Sequence, residues 1–372
     1  MIPYGRHSIN EDDINAVISV LRGDWLTTGP LVEEFEYALE KVVGAPCISV
    51  SSGTAALHCA YAAIGIKPGD EVITPPMTFI ATQATAALFG ARIVFADIQS
   101  DTGNIDPQAV ESLITSRTKA IVAVDYAGHP ADLDELKIIA HKHGLFLIED
   151  ASHSIGSFYK DKPVGSIADI TTFSFYPTKN FTTGEGGALA SIHSDLLLKA
   201  KRFARQGLIR DQIDFKIADQ GLWHQEVHDF GLNYRLPDIL CALGISQIKR
   251  INEFKEKKLR IFQAYHEILS RNKEIKLPVE RKYVTTNWHL FPIRVPAKKR
   301  KQIFNNLREL GIGVQVNYMP AYWHPVFERY GYKRGAFPIS DQLYSEEISL
   351  PISADLSEKD LDHVIGSLQR IL

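Results

Sequence analysis

A lysine that directly follows an apolar run is the most reactive candidate in this sequence. Lys179 lies in FSFYPTKNFTTGEGGAL (residues 173–189), between a run that ends near Tyr176 and a group of glycines. Most lysines are solvated surface charges, and this interpretation suits nearly all the others in the chain. A lysine whose surroundings lower its pKa can instead condense with a carbonyl group to form a Schiff base. The position of Lys179 therefore predicts a reaction with a carbonyl group. Ser174, in the same segment, offers a hydroxyl donor.

A second segment supplies an acid and an imidazole. Asp150 ends the apolar run LFLIED (145–150), and His153 follows it three residues later. A carboxylate at this point could keep a pyridine nitrogen protonated, because an opposite charge favours the cationic form. His153 could lie over or beside a ring, and a purely structural histidine fits it about as well.

A third segment, SSGTAAL (51–57), has the features of an anion site. A strand ends there, Gly53 allows a tight turn, and a helix begins. The first backbone amides of this helix point outward, and Ser52 and Thr54 add hydroxyl donors beside them. Alone, these residues fit a plain helix cap equally well. The three segments together supply a phosphate cradle, an acid for a ring nitrogen and an amine for an aldehyde. This is the set of groups that pyridoxal phosphate requires.

The elements that must position these groups alternate between strands and helices. Strands are predicted at 47–51, 71–76, 92–97, 119–126, 145–150 and 170–176. Helices are predicted between them at 54–65, 78–89, 106–115 and 132–143. This alternation indicates βαβ units and a mostly parallel, buried sheet. Ligands of such sheets bind beyond the carboxyl ends of the strands, where the three segments lie.

The pattern changes after Pro237. One long charged helix is predicted at 239–269, followed by a strand near 289–295, a helix near 298–310, a strand at 313–318 and a last helix from about 357. A chain of 372 residues exceeds the size at which one core stops growing, about 250–300 residues. We therefore predict a large domain over residues 1–245, with an N-terminal substrate segment, and a small C-terminal domain over residues 246–372.

The composition excludes several classes of function. The net charge is −3 and the hydrophobic content 45%, so nothing favours binding to nucleic acid or to anionic membranes. No apolar run approaches the roughly 18 residues that would span a bilayer, and the first residues do not resemble a secretory signal. The three cysteines are far apart and form no C-x-x-C pair, so we expect neither disulfides nor a metal site. These observations predict a cytoplasmic location.

Several blocks of the sequence resemble the DegT/StrS-type sugar aminotransferases. They are SSGTAAL, PPMTFIAT (75–82), IEDASHS (148–154), the segment around Lys179 and GLNYRLPDILCALGISQI (231–248). The resemblance covers essentially the whole chain. It implies an α/β enzyme of fold type I, with a mostly parallel seven-stranded sheet in the large domain and a smaller C-terminal α+β domain. It also implies a pyridoxal-phosphate-dependent transaminase that works as a homodimer with shared active sites.

The resemblance further implies roles for individual residues. The catalytic residues would be Lys179, which binds the cofactor aldehyde, and Asp150, which pairs with the ring nitrogen. Phe79 or His153 would flank the ring. The cofactor phosphate would be held by Ser52, Gly53, Thr54, Ala55 and Ser174, with Asn233 and Arg235 reaching it from the neighbouring subunit. The substrate would contact Tyr4, Trp25, Leu26, Thr27, Asn317 and Tyr318.

Within the family, four blocks are most similar to members of the pseudaminic acid pathway: residues 118–136, the segment around Lys179, NWHLFPI (287–293) and GIGVQVNYMPAY (311–322). They imply transfer of an amino group from L-glutamate to C4 of a UDP-linked 4-keto-6-deoxy N-acetylhexosamine, with pyridoxamine phosphate as the intermediate cofactor form. The chain departs from this subgroup at Asn317, where histidine is expected, and at Tyr176 and Asn180, where histidine is commoner.

Three other functions are alternatives. A pyridoxamine-phosphate-dependent sugar dehydratase of the same family would have histidine at the position of Lys179. A NAD-dependent sugar-nucleotide oxidoreductase would need a G-x-G-x-x-G turn after its first strand, and the sequence has none. A cofactor-binding regulator would need a DNA-binding module or a basic face, which the two predicted domains do not offer.

Overall fold

The computed structural model describes residues 1–217 and 220–372. Within these residues the helices are α1 Glu11–Leu21, α2 Pro30–Val43, α3 Gly53–Ala63, α4 Ala81–Leu88, α5 Pro107–Glu111, α6 Leu133–His143, α7 Ser194–Ala204, α8 Asp238–Ile248, α9 Ile251–Leu269, α10 Ala297–Glu309, α11 Pro338–Glu346 and α12 Glu358–Ile371. None of these helices has the length and apolar character that crossing a bilayer demands.

The strands of the described residues are short, and most are buried. They are β1 Cys47–Val50, β2 Glu71–Thr74, β3 Arg92–Phe95, β4 Thr118–Val124, β5 Phe146–Asp150, β6 Phe158–Tyr159, β7 Lys162–Pro163, β8 Ile170–Ser174, β9 Gly187–Ala190, β10 Leu208–Ile209, β11 Glu226–Val227, β12 Val284–Thr285, β13 Phe291–Arg294 and β14 Glu347–Leu350.

Seven of these strands form the central sheet, in the order β1-β9-β8-β5-β4-β2-β3. The pairs from β8 to β3 are parallel, whereas β9 runs antiparallel to both β1 and β8. Helices cover both faces, which explains why β1, β2, β5 and β8 are almost continuously buried. The predicted mostly parallel sheet is therefore confirmed. Strand β9 was not predicted, because its sequence GALA lacks the β-branched and aromatic residues that mark a strand.

Two predicted elements after Pro237 are wrong. The long helix is interrupted by a turn at Lys249 and Arg250, which separates α8 from α9. The segment 313–318 is not a strand, since only isolated bridges occur at Ile312 and Gln315. Strand pairing does not continue past the Gln315 bridge, because the Asn317 backbone N–H donates to the Glu347 carboxylate at 2.8 Å instead of to a backbone carbonyl of the neighbouring strand.

Two predicted helices near the sheet are shorter than expected. Helix α4 begins at Ala81 and not at Thr78, because residues 76–78 form a bend. Helix α5 covers only Pro107–Glu111 of the predicted 106–115.

The residues that follow α8 build an apolar core of their own. Helix α9 contributes Ile261 and Tyr265, which pack with Phe291 of β13 and with residues of α10 and α12. The same part of the chain also returns to the central sheet, where Tyr322 and Phe327 pack around Phe95 of β3. A boundary between residues 245 and 246 stays a prediction.

Candidate active site

A cavity of about 480 Å³ lies at the carboxyl edge of the central sheet. It is bounded by the ends of β1, β5 and β8, the start of α3, and segments from both ends of the chain. This volume suits a cofactor or another small molecule. The predicted site residues that line it are Tyr4, Ser52, Gly53, Thr54, Phe79, Asp150, His153, Ser174, Lys179, Asn317 and Tyr318.

Lys179 reaches this cavity from the loop after β8. Its backbone N–H donates to the Tyr176 carbonyl oxygen at 2.9 Å, which shapes a tight turn, and its side chain is half-buried. Burial lowers the pKa of the Lys179 amine to about 8, and the negative charge of Asp150 opposes this effect. Part of the amine is therefore neutral near physiological pH, as a nucleophile or a proton acceptor must be.

Asp150 ends β5, in register with Thr172 on β8. Its Oδ2 accepts a hydrogen bond from the Thr82 hydroxyl at 2.7 Å, and its Oδ1 accepts one from the Ser152 hydroxyl at 2.6 Å. The side chain is buried, so these bonds fix a carboxylate in one orientation at the cavity wall. Thr82 comes from α4 and was not foreseen, although it lies within the block PPMTFIAT.

The N-terminus of α3 forms another wall of the cavity. Ser52 caps this helix, because its Oγ accepts from the Ala55 backbone N–H at 3.0 Å. The amides of Gly53 and Thr54 lie in the first turn, where a helix offers no internal acceptors. Ala55 is buried and does not line the cavity, since its amide is already bonded to Ser52. The predicted cradle residues that line the cavity are Ser52, Gly53, Thr54 and Ser174, and the role of Ala55 toward the phosphate stays a prediction.

His153 packs among aromatic groups on the opposite side. Its Nε2 lies 3.0 Å from the Tyr318 hydroxyl, and its ring centroid is 4.4 Å from that of His289. Burial and the charge of Lys179 keep the pKa of His153 well below its usual range, so the ring is neutral. His289 was missed by sequence reasoning. The sequence feature that could have identified His289 is a single imidazole within the apolar stretch NWHLFPI.

The remaining predicted residues lie elsewhere. Trp25, Leu26 and Thr27 are exposed and do not line this cavity. Asn233 is exposed as well, and Arg235 donates to Gln206 Oε1 at 2.8 Å. Arg235 lines a different cavity. The roles of these residues toward a neighbouring subunit stay predictions.

The residues present fit pyridoxal phosphate. The Nδ1 atom of His153 is buried and has no hydrogen-bond partner in the described residues. Buried polar atoms are normally hydrogen-bonded, so a molecule bound in the cavity would supply the missing partner. A Cβ built on Gly53 would lie only 2.7 Å from Ser174 Cβ, so the glycine keeps the helix terminus open for an anion. With the Lys179 amine and the Asp150 carboxylate, the cavity offers matching groups for a phosphate, an aldehyde and a ring nitrogen.

Behind Asp150 lie two further buried carboxyl groups, Asp125 and Glu149. Asp125 Oδ2 accepts from the Ser154 hydroxyl at 2.5 Å, and Glu149 Oε2 accepts from the Thr171 hydroxyl at 2.8 Å. Glu149 Oε1 is buried without a donor in the described residues, which a proton shared with Asp125 would supply. Burial raises the pKa of Asp125 to about 7 and also raises that of Glu149. The two groups therefore hold one proton between them near neutral pH.

This pair predicts that stability falls as pH rises. Above the ordinary pKa of a carboxyl group, the folded state holds a proton that the unfolded state has released, so the free energy of unfolding decreases toward pH 7. The slope should be up to about 1.4 kcal/mol per pH unit between about pH 4 and 7. Asp125→Asn should flatten this slope in urea titrations at a series of pH values, whereas the control Asp134→Asn should keep it. An unchanged slope in Asp125→Asn would contradict a shared proton.

The sequence pattern of the DegT/DnrJ/EryC1/StrS aminotransferase family matches residues 7–369. A Campylobacter jejuni UDP-4-amino-4,6-dideoxy-N-acetyl-beta-L-altrosamine transaminase is 37% identical over 382 residues, which cover 100% of this chain and 98% of that protein.

Solved structures agree with the sequence comparison. Helicobacter pylori PseC, an aminotransferase involved in the biosynthesis of pseudoaminic acid, superimposes with a TM-score of 0.92 and 32% identity, over 100% of this chain and 98% of that one. The putative sugar aminotransferase Spr1654 from Streptococcus pneumoniae, in its PMP form, superimposes with a TM-score of 0.94 and 29% identity, over 100% and 99%. These structures confirm the predicted fold type I architecture.

Proposed function

Because the chain belongs to the DegT/DnrJ/EryC1/StrS aminotransferase family, we propose that it transfers an amino group from L-glutamate to C4 of a UDP-linked 4-keto-6-deoxy N-acetylhexosamine. The enzyme is a pyridoxal-phosphate-dependent sugar aminotransferase. The similarity to the Campylobacter transaminase and to PseC supports this sugar and a place in pseudaminic acid biosynthesis. The observation that carries the proposal is the Lys179 amine, whose pKa is lowered to about 8, in one cavity with the buried Asp150 carboxylate.

The residues of the chain divide the work of amino transfer. Pyridoxal phosphate, when bound, supplies an aldehyde that joins amines reversibly and a protonated ring that takes up electrons from the adjacent carbon. Lys179 Nζ removes a proton from Cα of the amino donor and returns it to the cofactor side, acting first as a base and then as an acid. The same amine moves the proton in the opposite direction when the keto-sugar accepts the amino group. Its lowered pKa suits both directions near neutral pH.

Other groups bind and orient. Asp150, held by Thr82 and Ser152, would keep a negative charge beside the ring nitrogen and so favour its protonated form. Ser52, Gly53, Thr54 and Ser174 would donate to the phosphate. Phe79 and the neutral ring of His153 are the candidates to flank the cofactor ring.

The phosphate cradle can be tested at Gly53. Gly53→Ala should weaken cofactor binding about tenfold or more, because overpacking of this kind costs about 1–3 kcal/mol and the new Cβ would lie 2.7 Å from Ser174 Cβ. The measurement is the dissociation constant of pyridoxal phosphate, from fluorescence titration of the apoprotein. A matched control is Gly366→Ala, whose Cβ would meet its nearest neighbouring atom only at 4.0 Å. Equal affinity of Gly53→Ala and the native protein would remove Gly53 from the cradle.

We also propose that the working unit is a cytoplasmic homodimer. Large apolar side chains are almost fully exposed near Asn233 in the sequence, namely Leu222 at 96% and Phe230 at 97%. Exposed apolar side chains that lie close together in the chain favour burial in a protein–protein interface. Asn233 and Arg235 would then serve the phosphate site of the partner. Light scattering across a dilution series tests the dimer. The three cysteines are free and buried, which agrees with a reducing compartment.

The decisive experiment is a two-step absorbance titration of the purified holoenzyme. The visible cofactor band should disappear when L-glutamate is added and should return when the UDP-linked 4-keto-6-deoxy N-acetylhexosamine is added. Loss of the band without its return by this sugar would contradict the proposed acceptor. No response to glutamate or to other amino acids would contradict the transaminase reaction at this site.

A further inference from the structure

Asn317 is held at the cavity wall in one orientation. Its Nδ2 donates to the Tyr4 hydroxyl at 2.7 Å and to Ser349 Oγ at 3.1 Å, which uses both N–H bonds of the amide. Its Oδ1 accepts no hydrogen bond from the described residues. Since Asn317 lines the cavity, the group that it leaves for a ligand is an acceptor.

The backbone of Asn317 is fixed as firmly as its side chain. The Tyr126 hydroxyl donates to the Asn317 carbonyl oxygen at 2.5 Å, and the Asn317 N–H donates to Glu347 Oε2 at 2.8 Å. Tyr126 follows β4 and Glu347 begins β14, so the two bonds come from different parts of the fold. With its backbone held on both sides, Asn317 retains one degree of freedom that matters to a ligand, the 180° turn of its amide.

Glu347 controls that turn through Ser349. Glu347 and Ser349 are fully buried and are not among the residues that line the cavity. The Ser349 hydroxyl donates to Glu347 Oε1. Because the single proton of Ser349 is used in this way, its oxygen can only accept from the Asn317 amide. Were Glu347 to donate to Ser349 instead, the Ser349 proton would be free to bond Asn317 Oδ1, and the amide would turn its N–H groups toward the cavity.

We propose that Glu347 is a positioning residue that acts through Ser349 to orient the Asn317 amide, so that the cavity selects sugars with a hydrogen-bond donor beside the reacting carbonyl. This inference rests on the proposed function. In the proposed substrate, the ring carries two hydrogen-bond donors near the C4 ketone, the C3 hydroxyl on the adjacent carbon and the N–H of the C2 acetamido group one carbon further away. The C3 hydroxyl is the donor adjacent to the carbon that Lys179 serves.

The ionisation of Glu347 gives this arrangement a pH dependence. Burial raises the pKa of Glu347 to about 8, while hydrogen bonds from Ser349 and Asn317 and the charge of Arg300 oppose the rise. The facing phenols, Tyr4, Tyr126 and Tyr318, have pKa values raised above the usual range and stay neutral there. The carboxylate, which accepts from both neighbours, therefore becomes more populated as pH rises through about 8.

The test compares kcat/KM of the holoenzyme for the parent UDP-sugar and for two analogues. One analogue carries fluorine in place of the C3 hydroxyl, and the other carries an acetate ester in place of the C2 acetamide. The native enzyme should prefer the parent over the fluoro analogue by at least about tenfold, because a buried acceptor without a donor is costly. The preference should increase as pH rises from 7 to 9. The ratio of two substrates cancels the titration of Lys179, which affects both equally.

Glu347→Gln provides the matched change, since its amide would accept from Asn317 and donate to Ser349. This variant should lose the preference for the parent sugar at every pH, through a higher KM with little change in kcat. Ser349→Ala should reduce the preference as well, which keeps the test decisive if Glu347→Gln fails to fold. The controls Glu309→Gln and Ser345→Ala change an exposed and a half-buried residue, neither of which lines the cavity, and should behave like the native enzyme.

The outcomes separate this inference from the proposed function. If the native enzyme aminates the parent sugar and both variants keep its full preference, Glu347 does not orient Asn317. If the ester analogue is rejected and the fluoro analogue is accepted, the donor is the acetamido N–H, and the assignment to the C3 hydroxyl is overturned. If the native enzyme responds to L-glutamate but accepts none of these UDP-sugars, the proposed function itself fails.

Discussion

Lys179→Ala should lower turnover by about 10³-fold or more, because general acid–base transfer alone contributes about 10²–10⁴-fold. The variant lacks the amine that moves the proton between the amino donor and the cofactor. The side chain of Lys179 is half-buried at a cavity wall, so its removal should leave the fold intact. Steady-state rates with L-glutamate and the keto-sugar, together with thermal unfolding, measure the two effects separately.

Lys179→Arg tests whether a neutral amine is required. A guanidinium group stays protonated at any pH that the protein tolerates, so it cannot accept the proton that an amine with a pKa of about 8 accepts. We expect the same loss of turnover as in Lys179→Ala. The control is Lys199→Ala, an exposed residue of α7 that contacts Asp195. Full activity of Lys179→Arg would exclude Lys179 from proton transfer.

The groups at the centre of the cavity could be predicted because each ends a strand or closely follows one. Lys179, Asp150 and Ser52 follow apolar runs whose type is clear, and the carboxyl ends of parallel strands meet at one edge of the sheet. Three weak local signals therefore became one strong prediction. Ala55 was placed in the phosphate cradle by the family resemblance, and the sequence does not reveal that its amide is bonded to Ser52.

The groups that orient these residues could not be predicted. Glu347 and Ser349 lie in EEISL, which reads as an ordinary strand, and their contact with Asn317 joins segments 30 residues apart. Thr82 contacts Asp150 across 68 residues, and nothing local marks it as different from other helix threonines. A buried polar residue shows its purpose only when its partner is known. The wrong strand at 313–318 has the same origin, since the Asn317 N–H is satisfied by a side chain.

Asp150→Asn is the other change from which we expect a large effect, a loss of about 10²–10³-fold in turnover, as for removal of a group that stabilises developing charge. Asparagine keeps the size of aspartate, and its Oδ1 can still accept from a neighbouring hydroxyl such as Thr82. It carries no charge, so it cannot favour the protonated ring nitrogen. The rate of band loss on adding L-glutamate reports this effect without the keto-sugar.

Although Asp150→Asn should be less active, its free energy of unfolding should be the same as that of the native protein or higher. Burial is the main cause of the raised pKa of Asp125, and the charge of Asp150 raises it further, so Asp150 repels Asp125 in the folded protein. Removing one charge relieves this repulsion, and the apoprotein of Asp150→Asn should unfold at the same or a higher urea concentration at pH 7. Asp134→Asn serves as the control, because Asp134 is a surface partner of Lys160.

A variant that is less active and no less stable would show that the charge of Asp150 serves the reaction at a cost to the fold. The two measurements also discriminate between causes. Loss of activity together with a large loss of stability would mean that Asp150 mainly holds Thr82 and Ser152 in place. Native activity in Asp150→Asn would mean that another group protonates the ring, and the assignment of Asp150 would have to be withdrawn.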